Sequence, residues 1–315
     1  MAMLGKTANG LFWMYRYLER AENTARLVET GQRIALTRLG SADEEWESVL
    51  QTAGVAAGFH AAHDSLTKEA AIDWMLRGRD NPSAVLTNIA DARQNARLVR
   101  TALTHDVWEA TNGCYMRARE ALARKISERD LSATLGAIRS QTALVRGATH
   151  GTMLRNDMYN FARIGTFLER ADNTARILDV KYYVLLPSVM AVGSAVDNVQ
   201  WETILRSVSA RGGFRMEYGA SGTPRDIAQF LILDTRMPRS LAFCAEKVRD
   251  NLSFLAAGVG RQMPSSELAE ALIAKFLSDD IDAIFDYGLH EHIQDILTAF
   301  AQLGRQIEID YRFYE

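Results

Sequence analysis

The chain has 315 residues, of which 48% are hydrophobic and 24% are charged, and its formal net charge is −3. This composition is typical of a globular protein with a sizeable core, and the small net charge gives no electrostatic reason to expect nucleic acid as a partner. No apolar run approaches the roughly 18 residues that cross a bilayer, and no secretory leader is recognisable. We therefore expect a cytoplasmic protein with no membrane contact.

The distribution of proline predicts the fold class. Only five prolines occur in the chain, and the long stretches between them are rich in Ala, Leu, Arg and Glu. These stretches favour helices, because a proline in a helix interior costs about 3 kcal/mol. Alternating strand patterns are not evident. The sequence predicts an all-α protein folded as a helical bundle.

The predicted helices fall into two series. Those of the first series cover about 8–36, 43–60, 105–125 and 128–150. Those of the second series cover about 157–186, 198–213, 264–278 and 289–312. Pro82 and Pro238 suit the first turn of one further long helix in each series, where a missing N–H is harmless. Gly193–Ser194 and the segment from Gly212 to Gly222 are the predicted loops.

An internal repeat relates the two series. The stretch LERAENTAR at 18–26 returns as LERADNTAR at 168–176. A tryptophan block at 45–50 matches 200–205, and a proline block at 82–95 matches 238–251. The order is preserved and the offset drifts only from 150 to 156. We predict a single domain, 1–315, made of two internal repeats, about 1–150 and 151–315, packed as one unit.

The repeated stretch has two faces at 100° per residue. Leu18, Ala21 and Ala25 form a core stripe with Met14 and Val28. The polar face and its flanking arginines are Glu19, Arg20, Glu22, Asn23 and Arg26, with counterparts Glu169, Arg170, Asp172, Asn173 and Arg176. Asn23 and Thr24 are mediocre helix formers, so their recurrence predicts specific hydrogen-bond partners. Arg155, just before the second long helix, is predicted to extend this polar cluster.

Two interpretations of the polar face stay open. It is either a buried network that locks the two halves together or a pair of clusters beside a groove. In a groove, carboxylates and arginines bind an amine, a peptide, a carboxylate or a phosphate.

We predict no metal and no cofactor. The residue three positions after Glu19 or Glu169 is never the histidine that di-metal helical bundles use, and Arg26 opposes a cation. An oxygen-only site for Mg²⁺ or Mn²⁺ is the alternative. No phosphate-binding loop and no nucleophile signature occurs in the sequence.

The residues together resemble the alpha-E family, a bacterial helical domain with a glutamate–arginine motif. The matching segments are 3–8, 11–13, 17–26, 81–83, 92–97, 108–109, 151–153 with Arg155, 168–171, 231–234, 238–240 and 288–291. Lys6, Tyr15 and Thr166 depart from the usual residues. Thr166 leaves the second repeat one cation short, so we expect the two clusters to differ.

The resemblance implies that the protein functions together with another protein. Similar domains accompany circularly permuted ATP-grasp proteins, a context of amide or peptide ligation. It implies a partner or co-catalytic subunit that binds the ligase, or a peptide or amino-acid-derived substrate, through the duplicated clusters. The alternatives are a stand-alone enzyme that acts on an amine or aminoacyl substrate in an acidic groove, with Glu19 and Glu169 as catalytic candidates, and a purely structural scaffold.

Overall fold

The computed structural model describes residues 5–35, 42–183, 195–219 and 222–314. Within these ranges the regular secondary structure consists of fifteen α-helices and one 3-10 helix, without a strand. The all-α prediction is confirmed. None of the helices in these ranges is long and apolar enough to cross a membrane. The contacts divide the chain into two compact units, residues 1–166 with 311–315, and residues 167–310.

The first unit is built around one long helix and its neighbours. Its helices are α1 (Gly5–Ala35), α2 (Ala42–Thr52), α3 (Ala56–Ala62), α4 (Lys68–Arg77), α5 (Val85–Leu98), the 3-10 helix Arg100–Ala102, α6 (His105–Ala121) and α7 (Glu128–Thr152). The first residues of α8 (Asp157–Tyr183) complete this unit.

The second unit begins inside α8. Its other helices are α9 (Ala195–Ser207), α10 (Arg211–Tyr218), α11 (Pro224–Ile232), α12 (Leu241–Val259), α13 (Pro264–Phe276), α14 (Ile281–Tyr287) and α15 (Leu289–Asp310). The predicted duplication at about 150 stays a prediction, since the division at Thr166 and Phe167 concerns contacts and not ancestry.

Helix α1 buries the stripe that its periodicity predicts. The five stripe residues are at most 3% exposed: Met14, Leu18, Ala21, Ala25 and Val28. Helix α5 runs antiparallel along α1. A Cβ atom added at Gly10 would lie 2.4 Å from Val99 Cγ1, and at the other end Thr24 Oγ1 donates to Ser83 O at 3.2 Å. The small residues of α1 therefore allow the close approach of α5.

The end of the chain returns to the core of the first unit. The Phe313 ring is 1% exposed and packs edge-on against Phe12, with ring centroids 5.3 Å apart, and against Phe161, at 6.0 Å. Tyr314 beside it is 75% exposed. A Cβ atom at Gly165 would lie 2.2 Å from Phe12 O, so α8 approaches the backbone of α1 directly at this glycine.

The prediction of one continuous helix around each tryptophan was wrong, because a tight turn ends each helix early. Gly54 has φ 69°, and its N–H donates to Gln51 O while Val55 N–H donates to Leu50 O. The same two hydrogen bonds recur 155 residues later, around Ser209 with φ 54°. This is the Schellman arrangement that terminates helices. Its recurrence at the offset of the tryptophan blocks supports the predicted duplication.

The placement of two prolines in the first turn of a helix was also wrong. Pro82 and Pro238 both lie two residues before the helix N-cap, which is Ala84 in one case and Ser240 in the other. Backbone hydrogen bonds close a turn over residues 81–84 and another over 237–240. Proline is therefore the second residue of each turn, a position that its fixed φ favours.

The glycine-rich loop prediction was wrong in part. Gly212 and Gly213 lie in α10, and Phe214 of the same helix is buried. This ring stacks on Tyr218 at 4.8 Å and packs against Phe230 at 5.6 Å between centroids. Burial of this aromatic group outweighs the poor helix propensity of glycine. The other predicted loop, Gly193–Ser194, lies outside the described residues.

A buried histidine sits where α13 and α15 pack together. His292 is 4% exposed and its ring meets Phe276 edge-on at 5.9 Å between centroids. Burial lowers the pKa of His292 below its ordinary value, although Asp279, a hydrogen bond to the backbone of Phe276, and Asp295 act in the opposite direction. Nε2 is buried without a hydrogen-bond partner in the described part of the chain. The neutral ring is thus the form that suits this core.

We predict that acidification destabilises the second unit through His292. Because the pKa is lower in the folded state, the unfolded chain binds the proton first, and stability falls as pH drops below about 6.5. Urea unfolding at pH 7.5 and 5.5 measures the loss. His292→Gln should reduce this pH dependence. Equal pH dependence in the variant and the parent chain would contradict the assignment.

Candidate functional site

The candidate site of the first unit lies where α1 and α7 run antiparallel. Three residues of α1, seven positions apart, meet α7 in reverse order. Tyr15 Oη lies 2.5 Å from Thr149 Oγ1, Glu22 contacts Arg146, and Glu29 Oε2 lies 2.9 Å from Arg139 Nη1. Seven residues are close to two helical turns, so all three contacts lie on one face of each helix.

Glu22 is the centre of this face. It is 0% exposed, and Arg26 donates to its Oε1 from Nη2 at 2.7 Å and from Nε at 3.1 Å. On the other side, Arg146 Nη1 donates to Oε2 and Thr142 Oγ1 lies 2.9 Å from the same oxygen. Both carboxylate oxygens therefore have charged donors, which is the condition for burying an ionised group.

Glu19 shares one of these arginines. Its side chain is 1% exposed and Oε2 lies 3.7 Å from Arg146 Nη1. Asn23, one position beyond Glu22, is 2% exposed, whereas Arg20 and Arg26 are half-buried. Two carboxylates and two arginines, Arg26 and Arg146, thus balance in charge at this place. The polar face of the repeated stretch is buried in the first unit, not exposed in a wide groove.

Sequence reasoning missed the α7 partners of this face. Arg139, Thr142 and Arg146 were not among the candidates, because their role appears only when α7 packs on α1. A signal did exist in the sequence. Arg139 and Arg146 are seven residues apart, as are Glu22 and Glu29, so the two helices have opposite charges at matching spacing.

In the second unit the repeated stretch is arranged differently. Arg176 forms a two-point ion pair with Asp172 at 2.7 and 3.2 Å, and their side chains are 45% and 30% exposed. Asn173 is half-buried. Glu169 and Arg170 are buried, at 4% and 9%.

Arg170 and its neighbour Thr174 join α8 to the turn before α12. Arg170 Nη1 donates to Pro238 O at 3.2 Å, and its guanidinium lies 5.2 Å from the Phe167 ring centroid. Thr174 Oγ1 donates to Arg239 O at 2.9 Å. The hydrogen bond from Thr24 to Ser83 O is its counterpart in the first unit, so each copy of the stretch holds the same turn.

The closing helices explain why the two clusters differ. Asp179 of α8, the counterpart of Glu29, accepts hydrogen bonds from His290 Nδ1 at 2.5 Å and Gln294 Nε2 at 2.8 Å. One contact between α8 and α15 therefore matches the α1–α7 pair. However, α15 contains no arginine before Arg305. It therefore has no counterpart of Arg146 to pair with Asp172, as Arg146 pairs with Glu22.

Arg155 lies apart from this face. Its Nη2 donates to His150 O at 2.7 Å and its Nη1 to Met153 O at 2.9 Å, while its guanidinium stacks 4.0 Å from the Tyr159 ring centroid. These carbonyls are at the end of α7, where helices leave acceptors unsatisfied. Arg155 therefore caps α7, and the contacts found for it do not join the polar cluster.

The described residues offer little for metal or nucleophilic chemistry. No group of three metal-ligating His, Cys, Asp or Glu side chains occurs among them. Cys114 and Cys244 are buried, and burial raises the pKa of the Cys114 thiol to about 12. At neutral pH this thiol is protonated and therefore a poor nucleophile.

Comparison with known proteins places the chain among similar helical domains. A family profile described as a predicted alpha-helical domain with a conserved ER motif matches residues 3–311. Glu-Arg pairs occur in the repeated stretch at 19–20 and 169–170. Uncharacterised proteins of Mycobacterium bovis and Mycobacterium tuberculosis are each 21% identical to this chain. The alignment is 314 positions long and includes 93% of this chain. The chain spans about a third, 35%, of the length of these relatives. No solved structure matches.

We predict that the counterpart carboxylates Glu22 and Asp172 differ in their contribution to stability. Glu22→Gln leaves two arginines without their shared anion and should lower the free energy of unfolding by about 2–4 kcal/mol. Asp172→Asn breaks a partly exposed i,i+4 pair and should cost less than about 1 kcal/mol. Urea unfolding of the two variants beside the parent chain measures both losses. Similar losses would refute a structural role specific to Glu22.

Proposed function

The chain belongs to the Alpha-E family, and we propose that it serves as a helical partner domain of an ATP-grasp amide or peptide ligase. In this role it holds the ligase, or the peptide or amino-acid-derived substrate, and the ligase supplies the ATP chemistry. The resemblance to this family suggests such a partner, and the contacts are assigned to exposed residues of the two units.

The length of the relatives carries the proposal. In the mycobacterial proteins the matching region makes up only 35% of the polypeptide, so a stretch nearly twice as long accompanies it. That arrangement suits a domain that works together with other domains, and it is less expected of an enzyme that is complete in itself.

The burial of the catalytic candidates supports a partner over an enzyme. A general base has to come within about 2.6–3.2 Å of the proton that it removes. Glu19 and Glu169 are only 2% and 4% exposed, and Glu19 shares Arg146 with the fully enclosed Glu22. These glutamates are therefore better placed to hold helices together. Asp172, Asn173 and Arg176 are the more open part of the repeated motif and are assigned to substrate contact.

One exposed apolar side chain on each unit is assigned to the ligase. Leu98 at the end of α5 is 73% exposed, and Phe254 of α12 is 69% exposed. The two residues are 156 positions apart, which is the offset of the proline blocks around Pro82 and Pro238. Single exposed apolar residues are common on proteins. Recurrence at the same repeat position distinguishes this pair and supports a retained binding role at each.

The proposal is tested by mixing the purified chain with an ATP-grasp ligase from the same organism. Association is measured by analytical ultracentrifugation, and ATP consumption and product mass are followed with and without the chain. We expect a complex and product formation that depends on the chain. Leu98→Asp and Phe254→Asp should each weaken association about tenfold or more, as loss of an apolar anchor does. Met216→Asp, at a 90% exposed side chain, is the control.

The other outcomes separate the alternatives. No association with the ligase would overturn the partner role. Turnover of an amine or aminoacyl substrate by the chain alone, abolished by Glu19→Gln, would instead establish the stand-alone enzyme. Full product formation with Asp172→Asn and Arg176→Gln variants would remove the second cluster from substrate contact.

A further inference from the structure

A cleft of about 110 Å³ opens in the first unit between α4 and the beginning of α7. Its lining residues are Lys68, Glu69, Ile72, Asp73, Leu76, Arg77, Lys125, Ile126, Glu128 and Leu131. Four of them are aliphatic and none is aromatic. Ile72, Leu76 and Leu131 are buried, so they form an apolar floor, while the charged side chains surround the opening.

One ion pair and one hydrogen bond connect α4, on one side of this cleft, to its neighbouring helices. Lys68 Nζ at the beginning of α4 contacts Glu128 Oε1 in the first turn of α7. Arg77 at the end of α4 lies 2.7 Å from Asp73 Oδ1 through Nε and donates from Nη1 to Leu122 O at 3.4 Å. Helix α4 is thereby tied both to α7 and to the end of α6. These contacts lie at the border of the cleft.

The start of α7 shapes the apolar floor. Ser127 is the N-cap residue and accepts a hydrogen bond from Asp130 N at 3.2 Å. Ile126 comes just before this cap and Leu131 is the fourth residue of the helix, which are the two positions of a hydrophobic staple. The arrangement keeps Ile126, a loop residue, beside the cleft.

The charges around the opening are incompletely paired. Six charged side chains line the cleft, and two ion pairs account for Lys68, Glu128, Arg77 and Asp73. Within the described part of the chain, no ion pair or hydrogen bond occurs for the side chains of Lys125 and Glu69, and both residues are exposed. One cation and one anion at the rim of an aliphatic pocket therefore remain available to a ligand.

We propose that this cleft binds an aliphatic α-amino acid. Its carboxylate pairs with Lys125, its ammonium group pairs with Glu69, and its side chain lies on the floor formed by Ile72, Leu76, Ile126 and Leu131. A zwitterion with an apolar side chain matches the charges and the surface of the cleft. The inference does not depend on the ligase partner, because the cleft lies apart from Leu98 and the polar face of α1, and its test contains no ligase.

Binding is tested by titrating the purified chain with L-leucine. Spectra of the protein labelled at isoleucine and leucine methyl groups report on the four floor residues directly. We expect saturable shifts of these methyl signals. Glycine lacks the apolar side chain, 4-methylpentanoate lacks the ammonium group and 3-methylbutylamine lacks the carboxylate, so each should bind about tenfold more weakly or worse.

Variants test which rim charges hold the ligand. Lys125→Gln and Glu69→Gln should each weaken leucine binding about tenfold, the loss of one charge-assisted hydrogen bond. Arg124→Gln removes a neighbouring exposed cation that does not line the cleft and should leave the affinity unchanged. The absence of saturable shifts up to the solubility limit of leucine would overturn the proposal. So would equal binding of leucine and 4-methylpentanoate, or equal loss in the Lys125 and Arg124 variants.

Discussion

An ionised carboxylate inside a helical protein has to be neutralised where it lies, because its desolvation costs several kcal/mol. Glu22, which is 0% exposed, imposes this requirement on the first unit. It is met by Arg26 one turn along the same helix and by Arg146 across the helix interface. The register of α7 on α1 follows, since only the antiparallel alignment that places Arg146 opposite Glu22 also joins Glu29 to Arg139. The pairing of these two helices, which are 31 and 25 residues long, therefore has to satisfy the charge of Glu22.

Local periodicity made much of the fold predictable. The apolar stripe of α1 and the long helices α1, α7 and α8 follow from spacing that is visible in the letters. The break at Ser209 was missed because a serine gives little warning of a positive φ, whereas Gly54 was an available signal for its counterpart. Helices α4, α11 and α14 were missed because helices of 7–10 residues leave short patterns. The candidate site was predictable on α1 and α8 only. Its partners on α7 depend on which helices pack together, and this is a property of the tertiary structure.

The two copies of the repeated stretch share one hydrogen bond and differ in the burial of one acidic side chain. In both, a threonine, Thr24 or Thr174, ties the stretch to the turn that precedes α5 or α12. The acidic position differs, since Glu22 is enclosed whereas the Asp172 side chain is 30% exposed. The invariant threonine is explained by packing in both units. The acidic position in the second unit is paired with Arg176 on the same helix and stays partly exposed.

The return of Phe313 to the core around Phe12 and Phe161 also governs the order of events during synthesis. The aromatic centre of the first unit combines residues from opposite ends of the sequence, so a nascent chain emerging from the ribosome cannot assemble it until position 313 has been added. Before that point Phe12 and Phe161 lack the ring that packs between them. The first unit is therefore expected to complete its packing only after the whole of the second unit has been synthesised, with high contact order and a correspondingly slow last step.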